Sequence, residues 1–323
     1  MTELSFGGAG IGNLFTPVTD EQAHEAVTAA WHAGIRYFDT APHYGLGLSE
    51  RRLGAALAGR DRATYTLSTK AGRVLEPTAS APDTADDLTD GGFAVPATHR
   101  RVWDFSADGV RRSLESSLTR LGLDRIDIVY LHDPDDHAEQ AFREAYPVLE
   151  RLRAEGVVGA IGAGMNQAEM LTRFVRDTDV DAVLCAGRYT LLDQRALVEL
   201  LPAAQEHHVS VVIGGVFNSG LLADPRPGAT YDYAAAPEAL LDRAGRFKAL
   251  ATRHGTTLRA AALAFPFGHP AVASVLIGTR SPDEVTDAVR QFRASVPPDL
   301  WQEARAEGLL PADTPTPEEE PLP

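Results

Sequence analysis

The chain has 323 residues, 44% hydrophobic and 23% charged, an ordinary globular composition, long enough to bury a sizeable core and within the range of one α/β barrel. Its formal net charge of −15 repels phosphate backbones and argues against a nucleic-acid partner. The sequence has no run near the ~18 apolar residues of a bilayer span and no basic-then-apolar leader pattern. Its single cysteine, Cys185, allows no intrachain disulfide, so a soluble cytoplasmic protein with a buried, inert thiol is expected.

Along the chain, short apolar runs alternate with amphipathic stretches. A weak glycine-bearing strand is predicted over Leu4–Ile11, then a helix over Glu21–His32 behind the N-cap candidates Thr19 and Asp20. The strand Ile35–Asp39 precedes a helix over Ser49–Leu57, and Tyr65–Lys70 is the third strand. Glu76–Arg101 reads as a long irregular segment rising over a barrel mouth. The helix Ala107–Leu121 carries Val110, Leu114, Leu118 and Leu121 at helical spacing. There follow the strand Ile126–His132, helix Ala138–Ala154, strand Val158–Ala163, helix Ala168–Asp177, strand Ala182–Ala186, helix Arg195–His207 and strand Val209–Gly214. A second irregular stretch, Asn218–Pro237, leads to helices Glu238–His254 and Leu258–Phe267, strand Ser274–Ile277 and helix Asp283–Phe292. Near-continuous apolar strands alternating with helices mean a parallel sheet. About eight such units favour a closed (β/α)8 TIM barrel, one domain over residues 1–310 with long loops over its C-terminal mouth. The acidic, Pro-rich tail Pro311–Pro323 is expected to be disordered.

Four polar residues fall at or just beyond predicted strand ends: Asp39, then Tyr44 in the following loop, Lys70 and His132. A barrel gathers consecutive strand ends at one mouth. The chemistry is coherent. Adding hydride to a carbonyl requires a proton, and the reverse step a base. A tyrosine titrates near ~10, a neighbouring lysine cation lowers that value, an aspartate holds the lysine, and a histidine can hydrogen-bond the carbonyl oxygen or share the proton.

The stretch Phe38-Asp39-Thr40-Ala41-Pro42-His43-Tyr44-Gly45, with Ser68-Thr69-Lys70 and Leu131-His132, resembles the Asp-Tyr-Lys-His tetrad of aldo-keto reductases. The opening Phe6–Phe15, Asp104–Val110 and Arg120–Asp136 are similar to the branch containing L-fucose, D-threo-aldose and pyridoxal 4-dehydrogenases. That resemblance implies an oxidoreductase oxidising an aldose such as L-fucose or D-arabinose at C1 to a lactone with NAD. In it Tyr44 is the general acid/base, Lys70 its partner, Asp39 the partner of Lys70, and His132 the group orienting the substrate oxygen. Aldehyde or ketone reduction in secondary metabolism, or pyridoxal oxidation, are the rival activities; a non-catalytic nucleotide-binding barrel is the rival from another class.

The resemblance also implies where a dinucleotide lies. Gly164 and Asn166, in Gly162-Ala163-Gly164-Met165-Asn166, stand where the family carries Gly-x-Ser-Asn. Ala186 occupies the place of the usual glutamine. Gly214 replaces the tyrosine that stacks under the nicotinamide, so Phe217 is the substitute ring, with Ser219 and Leu221 further along that loop. Gly278, Thr279, Arg280 and Glu284 match the last segment, where amides at a helix start bind phosphate. A carboxylate at Glu284, where NADP-using members carry arginine, favours NAD over NADP; Arg280 is the counterweight.

Asn13, Leu14, His43 and Trp103 are the expected contacts to a sugar or aldehyde substrate. Gly7-Gly8-Ala9-Gly10-Ile11-Gly12 is not a Gly-x-Gly-x-x-Gly fingerprint, since Asn13 falls at the third glycine. His132–His137 has metal-ligating types, but strand neighbours point to opposite faces, so His132 and Asp133 are not expected to share an ion, and no metal is expected. His207, His208, Trp31 and the pair Arg188-Tyr189 read as surface or packing residues. No feature fixes an oligomeric state.

Overall fold

The computed structural model describes residues 1–78 and 86–317. Eight parallel strands close into a barrel: β1 Leu4–Gly7, β2 Tyr37–Asp39, β3 Thr66–Ala71, β4 Ile126–His132, β5 Val158–Met165, β6 Ala182–Ala186, β7 Ser210–Gly214 and β8 Val272–Gly278. Each strand pairs with its sequence neighbours and β8 pairs with β1, the expected (β/α)8 architecture.

Strand alternation sorts side chains into two layers. Phe38, Leu67, Val129, Ile161, Val183 and Ile213 point outward and pack with the helices in the main core. Tyr37, Ile128, Tyr130, Ala182, Leu184 and Val212 point inward and fill the barrel. The inner layer requires Gly162: a Cβ there would lie 1.7 Å from the Ala182 carbonyl oxygen and 3.3 Å from the Tyr130 ring. Cys185 belongs to the outward layer, fully buried, with burial pushing its thiol up to about 12.

Several elements depart from expectation. The first strand ends at Gly7, and Gly10–Gly12 forms a 3-10 turn. The predicted helix Ala138–Ala154 contains a π-turn over Ala141–Ala145, where Pro147, lacking an N–H, interrupts the i→i−4 ladder. The run Arg195–His207 splits into a 3-10 turn, Arg195–Leu197, and a helix, Leu200–Glu206, because Pro202 supplies no donor to Val198. A terminal helix, Pro298–Ala306, adds to the expected elements.

Glu76–Arg101 is not simply irregular. Arg73–Pro77 pairs antiparallel with His99–Trp103, with Arg100 and Glu76 bridged across the ladder at 2.7 Å. Phe93–Pro96 pairs with Asp86–Asp87 and touches Leu14. The polar, Gly-rich stretch between these strands hides the hairpin in the sequence; residues 79–85 lie outside the described residues. The second stretch holds a two-residue ladder, Thr230–Tyr231 with Ala234–Ala235, turned by Asp232 and Tyr233 in left-handed backbone.

Residues 311–317 also depart from the disorder expected of the tail. The Arg305 guanidinium donates to the Thr314 carbonyl at 2.9 Å and Thr316 Oγ1 at 2.7 Å, and Thr314 is buried. An arginine donating to one carbonyl and one hydroxyl holds this Pro-rich segment without helix or strand; 318–323 lie outside the described residues. Among the described residues no helix is long and apolar enough to cross a membrane.

Candidate functional site

The barrel register brings together the four residues singled out by sequence. Asp39 closes β2 opposite Ser68 of β3, and Lys70, two residues on, shares that face. Lys70 Nζ donates to Asp39 Oδ2 at 2.7 Å and to the Thr40 carbonyl at 3.0 Å. Both side chains are almost wholly buried, 2% and 1% exposed. Such a pair is costly to break from one side only. His132 closes β4, whose Tyr130 is in register with Lys70. Lys70 Nζ lies 4.8 Å from the Tyr44 ring centre, and the His132 ring stands perpendicular to Tyr44 with centres 6.0 Å apart. Tyr44, Lys70 and His132 open onto a cavity of about 540 Å³ at the C-terminal mouth, a ligand-sized volume; Asp39 sits behind Lys70.

Tyr44 is placed by its turn. Its N–H donates to the Ala41 carbonyl at 3.1 Å, and Gly45 follows with φ 62°. A Cβ on Gly45 would meet the Gly12 carbonyl oxygen at 2.2 Å. Both left-handed backbone and close approach therefore demand glycine here. Phe93 packs behind Tyr44 and His43, at ring separations of 6.0 and 5.2 Å. Gly45→Ala is expected to cost roughly 2 kcal/mol of stability and to lower kcat by moving Tyr44. A thermal scan showing an unchanged Tm would refute the role given to this glycine.

Beneath the pair runs a chain of buried hydroxyls. Ser68 Oγ donates to Asp39 Oδ1 at 2.7 Å. Tyr37 lies 3.1 Å from Ser68 Oγ, and Tyr130 lies 3.1 Å from Tyr37. Each hydroxyl has one proton. Because Ser68 commits its proton to the carboxylate, Tyr37 must donate to Ser68 and Tyr130 to Tyr37. Three protons thus point one way, toward Asp39, and fix its carboxylate under Lys70. Behind β3, Glu50 is fully buried, accepting from Thr69 Oγ1 at 2.7 Å and Arg120 Nε at 2.5 Å.

The electrostatics set protonation states. Burial raises the Tyr44 phenol above its ordinary value, with Lys70 opposing. Lys70 lowers the phenol as expected of a neighbouring cation, against the larger effect of burial. Burial would lower Lys70, but Asp39 and Tyr44 outweigh it and hold the ammonium above its usual value. His132 is held well below the usual imidazole range by burial, then by Arg73 and Lys70. The same causes, burial first, take His43 down to about 2. The mouth therefore presents a neutral phenol, a lysine cation and two neutral imidazoles.

Of the expected substrate contacts, Leu14, His43 and Trp103 line the cavity. Asn13 does not. Its amide donates to the Ala94 carbonyl at 3.1 Å and accepts from Val18 N and Arg52 Nη1 at 3.0 and 2.7 Å. Its backbone is left-handed, φ 69°, so it ties the first loop to the hairpin. Gly164 and Asn166 line the cavity, as do Leu184 and Ala186. Phe217, Ser219, Leu221, Gly278, Thr279, Arg280 and Glu284 do not, although Gly278 ends β8 and the others follow β7 or β8 at the same end of the barrel. Leu221 is fully buried and its N–H is used by the Asn218 carbonyl; Ser219 Oγ accepts from Tyr233 N at 3.1 Å. Thr279 Oγ1 is buried without a partner. Arg280 donates its backbone N–H to Glu284 at 2.8 Å and its guanidinium to Thr16 Oγ1 at 2.6 Å.

Sequence reasoning missed Arg73, Asp133, Phe93 and Tyr233, all cavity-lining. His132 and Asp133 do not face apart as expected, because the strand stops at His132. Asp133 takes a left-handed backbone, φ 44°, which returns its carboxylate to 3.7 Å from His132 Nε2, where it pairs with Arg73. Among the described residues no group of three or more His, Cys, Asp or Glu side chains is placed to hold a metal ion.

The Aldo/keto reductase family model matches residues 3–306. A D-threo-aldose 1-dehydrogenase from a Pseudomonas species is 47% identical, covering 95% of this chain and 94% of its own. A pyridoxal 4-dehydrogenase from Microbacterium luteolum is 38% identical, covering 96% and 95%. The solved structure of an aldo-keto reductase from Bacillus halodurans, in its holo form, superposes with a TM-score of 0.73 at 27% identity, over 98% of this chain and 94% of that one. A barrel built to this plan, with a family match over nearly its whole length, places the chain in the aldo/keto reductase family, as an oxidoreductase.

Proposed function

We propose that the enzyme oxidises an aldose, such as L-fucose or D-arabinose, at C1 to the lactone, with a nicotinamide dinucleotide accepting the hydride. The observation that carries this reading is the buried Lys70–Asp39 pair beside Tyr44 in a cavity lined by polar groups. The likeness to a relative named D-threo-aldose 1-dehydrogenase supports the substrate class. A bound nicotinamide dinucleotide would supply the acceptor for the C1 hydride. The chain's part is the proton: Tyr44, in the phenolate form that Lys70 stabilises, accepts it at Oη from the C1 hydroxyl as the C–H bond breaks and becomes the neutral phenol, and Asp39 holds Lys70 charged. His132, kept neutral, hydrogen-bonds the same substrate oxygen. In reverse, the raised phenol of Tyr44 is the form that donates to a carbonyl, which favours aldehyde reduction as the second reading.

The residues present fit a nicotinamide dinucleotide. Asn166 faces the cavity beside Gly164, and the unpartnered Thr279 Oγ1 lies buried just ahead of the helix Pro282–Phe292, whose positive dipole end favours a phosphate. Ser219 and Gly278, beyond β7 and at the end of β8, are further candidates to hold it, with Phe217 as the candidate ring for the nicotinamide. We infer a preference for NAD over NADP. Glu284 already accepts from Arg280 N, and the Arg280 guanidinium is turned to Thr16, so a 2′-phosphate would meet a carboxylate before a free cation. Identification of the product as the lactone, with kcat/KM at least about tenfold higher for NAD, a difference of one engaged charge, is the expected result. Equal or higher efficiency with NADP would reverse the cofactor assignment, and turnover of pyridoxal or simple aldehydes in place of aldoses would reverse the substrate.

A further inference from the structure

Resting on the aldose reading above, we propose that Arg73 and Asp133 form the specificity element of this site. They read a pair of hydroxyls on the substrate carbons next to the one that reacts.

The pair is built into the cavity wall. The Arg73 guanidinium pairs with Asp133 Oδ2 and lies over the Trp103 ring, 4.2 Å from its centre; Trp103 in turn stacks on Phe105. Asp133 is set by its left-handed backbone and by its N–H donating to the Gly164 carbonyl at 3.0 Å. Both side chains line the cavity with Tyr44 and His132, and Asp133 Oδ2 lies 3.7 Å from His132 Nε2, beside the reacting centre.

The pair is also under-used. Arg73 is 13% exposed, and its Nε is buried with no hydrogen-bond partner. His43 Nδ1 and His132 Nδ1 are buried and unpartnered in the same wall. Buried polar atoms are ordinarily satisfied, so the wall is strongly polar, and its accessible part is the Asp133 carboxylate, 33% exposed, beside the Arg73 guanidinium. A hydroxyl both donates and accepts. Asp133 supplies acceptor oxygens and Arg73 a planar fork of donors, so two neighbouring hydroxyls can each be held at this edge. An apolar analogue would leave the guanidinium and carboxylate desolvated without return, and sites of this kind reject the analogue that lacks the hydroxyl.

The test compares reduction of glyceraldehyde and propionaldehyde, equal in carbon number and differing in hydroxyls, by wild type, Arg73→Lys and Asp133→Asn. Arg73→Lys keeps the charge and loses the fork, and circular dichroism checks that each variant is folded. Wild type is expected to favour glyceraldehyde. In each variant the loss of kcat/KM on glyceraldehyde should exceed the loss on propionaldehyde by about tenfold or more, mainly through KM. Equal losses on both substrates, or no wild-type preference, would overturn the assignment. If wild type oxidises no aldose yet the hydroxyl-dependent difference is present, the aldose reading falls and the pair stands. If wild type oxidises aldoses and the losses are equal, the pair falls and the aldose reading stands.

Discussion

Tyr44→Phe is expected to lower kcat by about 10²–10⁴-fold, the usual contribution of a positioned proton donor, while nucleotide binding stays within a few-fold of wild type. The phenol oxygen is the group removed; the ring, its packing on Phe93 and its edge toward His132 are kept. The neutral His132 holds no proton to spare for a carbonyl, because burial and the surrounding cations keep it deprotonated, and Lys70 is committed to Asp39 and Thr40. No neighbour is therefore ready to replace Tyr44. Initial rates in both directions, with nucleotide affinity from fluorescence titration, check this. Near-wild-type turnover with intact binding would remove Tyr44 from the chemistry.

Lys70→Met is expected to lose turnover by a similar factor and to move the pH profile. The sign follows from the groups involved. Burial raises the Tyr44 phenol and Lys70 opposes that rise; without the ammonium the phenol holds its proton to still higher pH. Oxidation, which needs Tyr44 to accept a proton, should then gain rate only at more alkaline pH than in wild type. The substitution also leaves Asp39 buried with its charge unpaired, at a cost of about 3–5 kcal/mol. The double variant Asp39→Asn/Lys70→Met removes both charges, so it should be more stable than Lys70→Met yet equally inactive. A pH profile matching wild type, or a double variant less stable than the single, would contradict the account of this pair.

The extent to which the sequence disclosed this site has physical reasons. Strands such as Ile126–His132 and Ala182–Ala186 were readable to the residue, because a strand covered on both faces has to be apolar throughout. The convergence of Asp39, Tyr44, Lys70 and His132 was readable because a barrel gathers strand ends at one mouth. The hairpin of Arg73–Pro77 with His99–Trp103 was not, since its pairing joins two segments across a polar stretch with no apolar alternation to mark it. Asp133 was misplaced because strand alternation was carried one residue past the end of the strand, and a single left-handed residue reversed it. Asn13 had the residue type of a substrate contact, but its amide is spent on Ala94, Val18 and Arg52, partners that only the fold brings near.

The most direct test of aldose oxidation is the appearance of reduced nicotinamide absorbance when the purified protein meets L-fucose or D-arabinose with NAD, measured beside Tyr44→Phe. The account predicts steady reduction of NAD by wild type, faster at alkaline pH, and almost none by the variant. No reduction with any aldose, alongside brisk oxidation of NADH or NADPH by simple aldehydes, would contradict it and make the enzyme an aldehyde reductase.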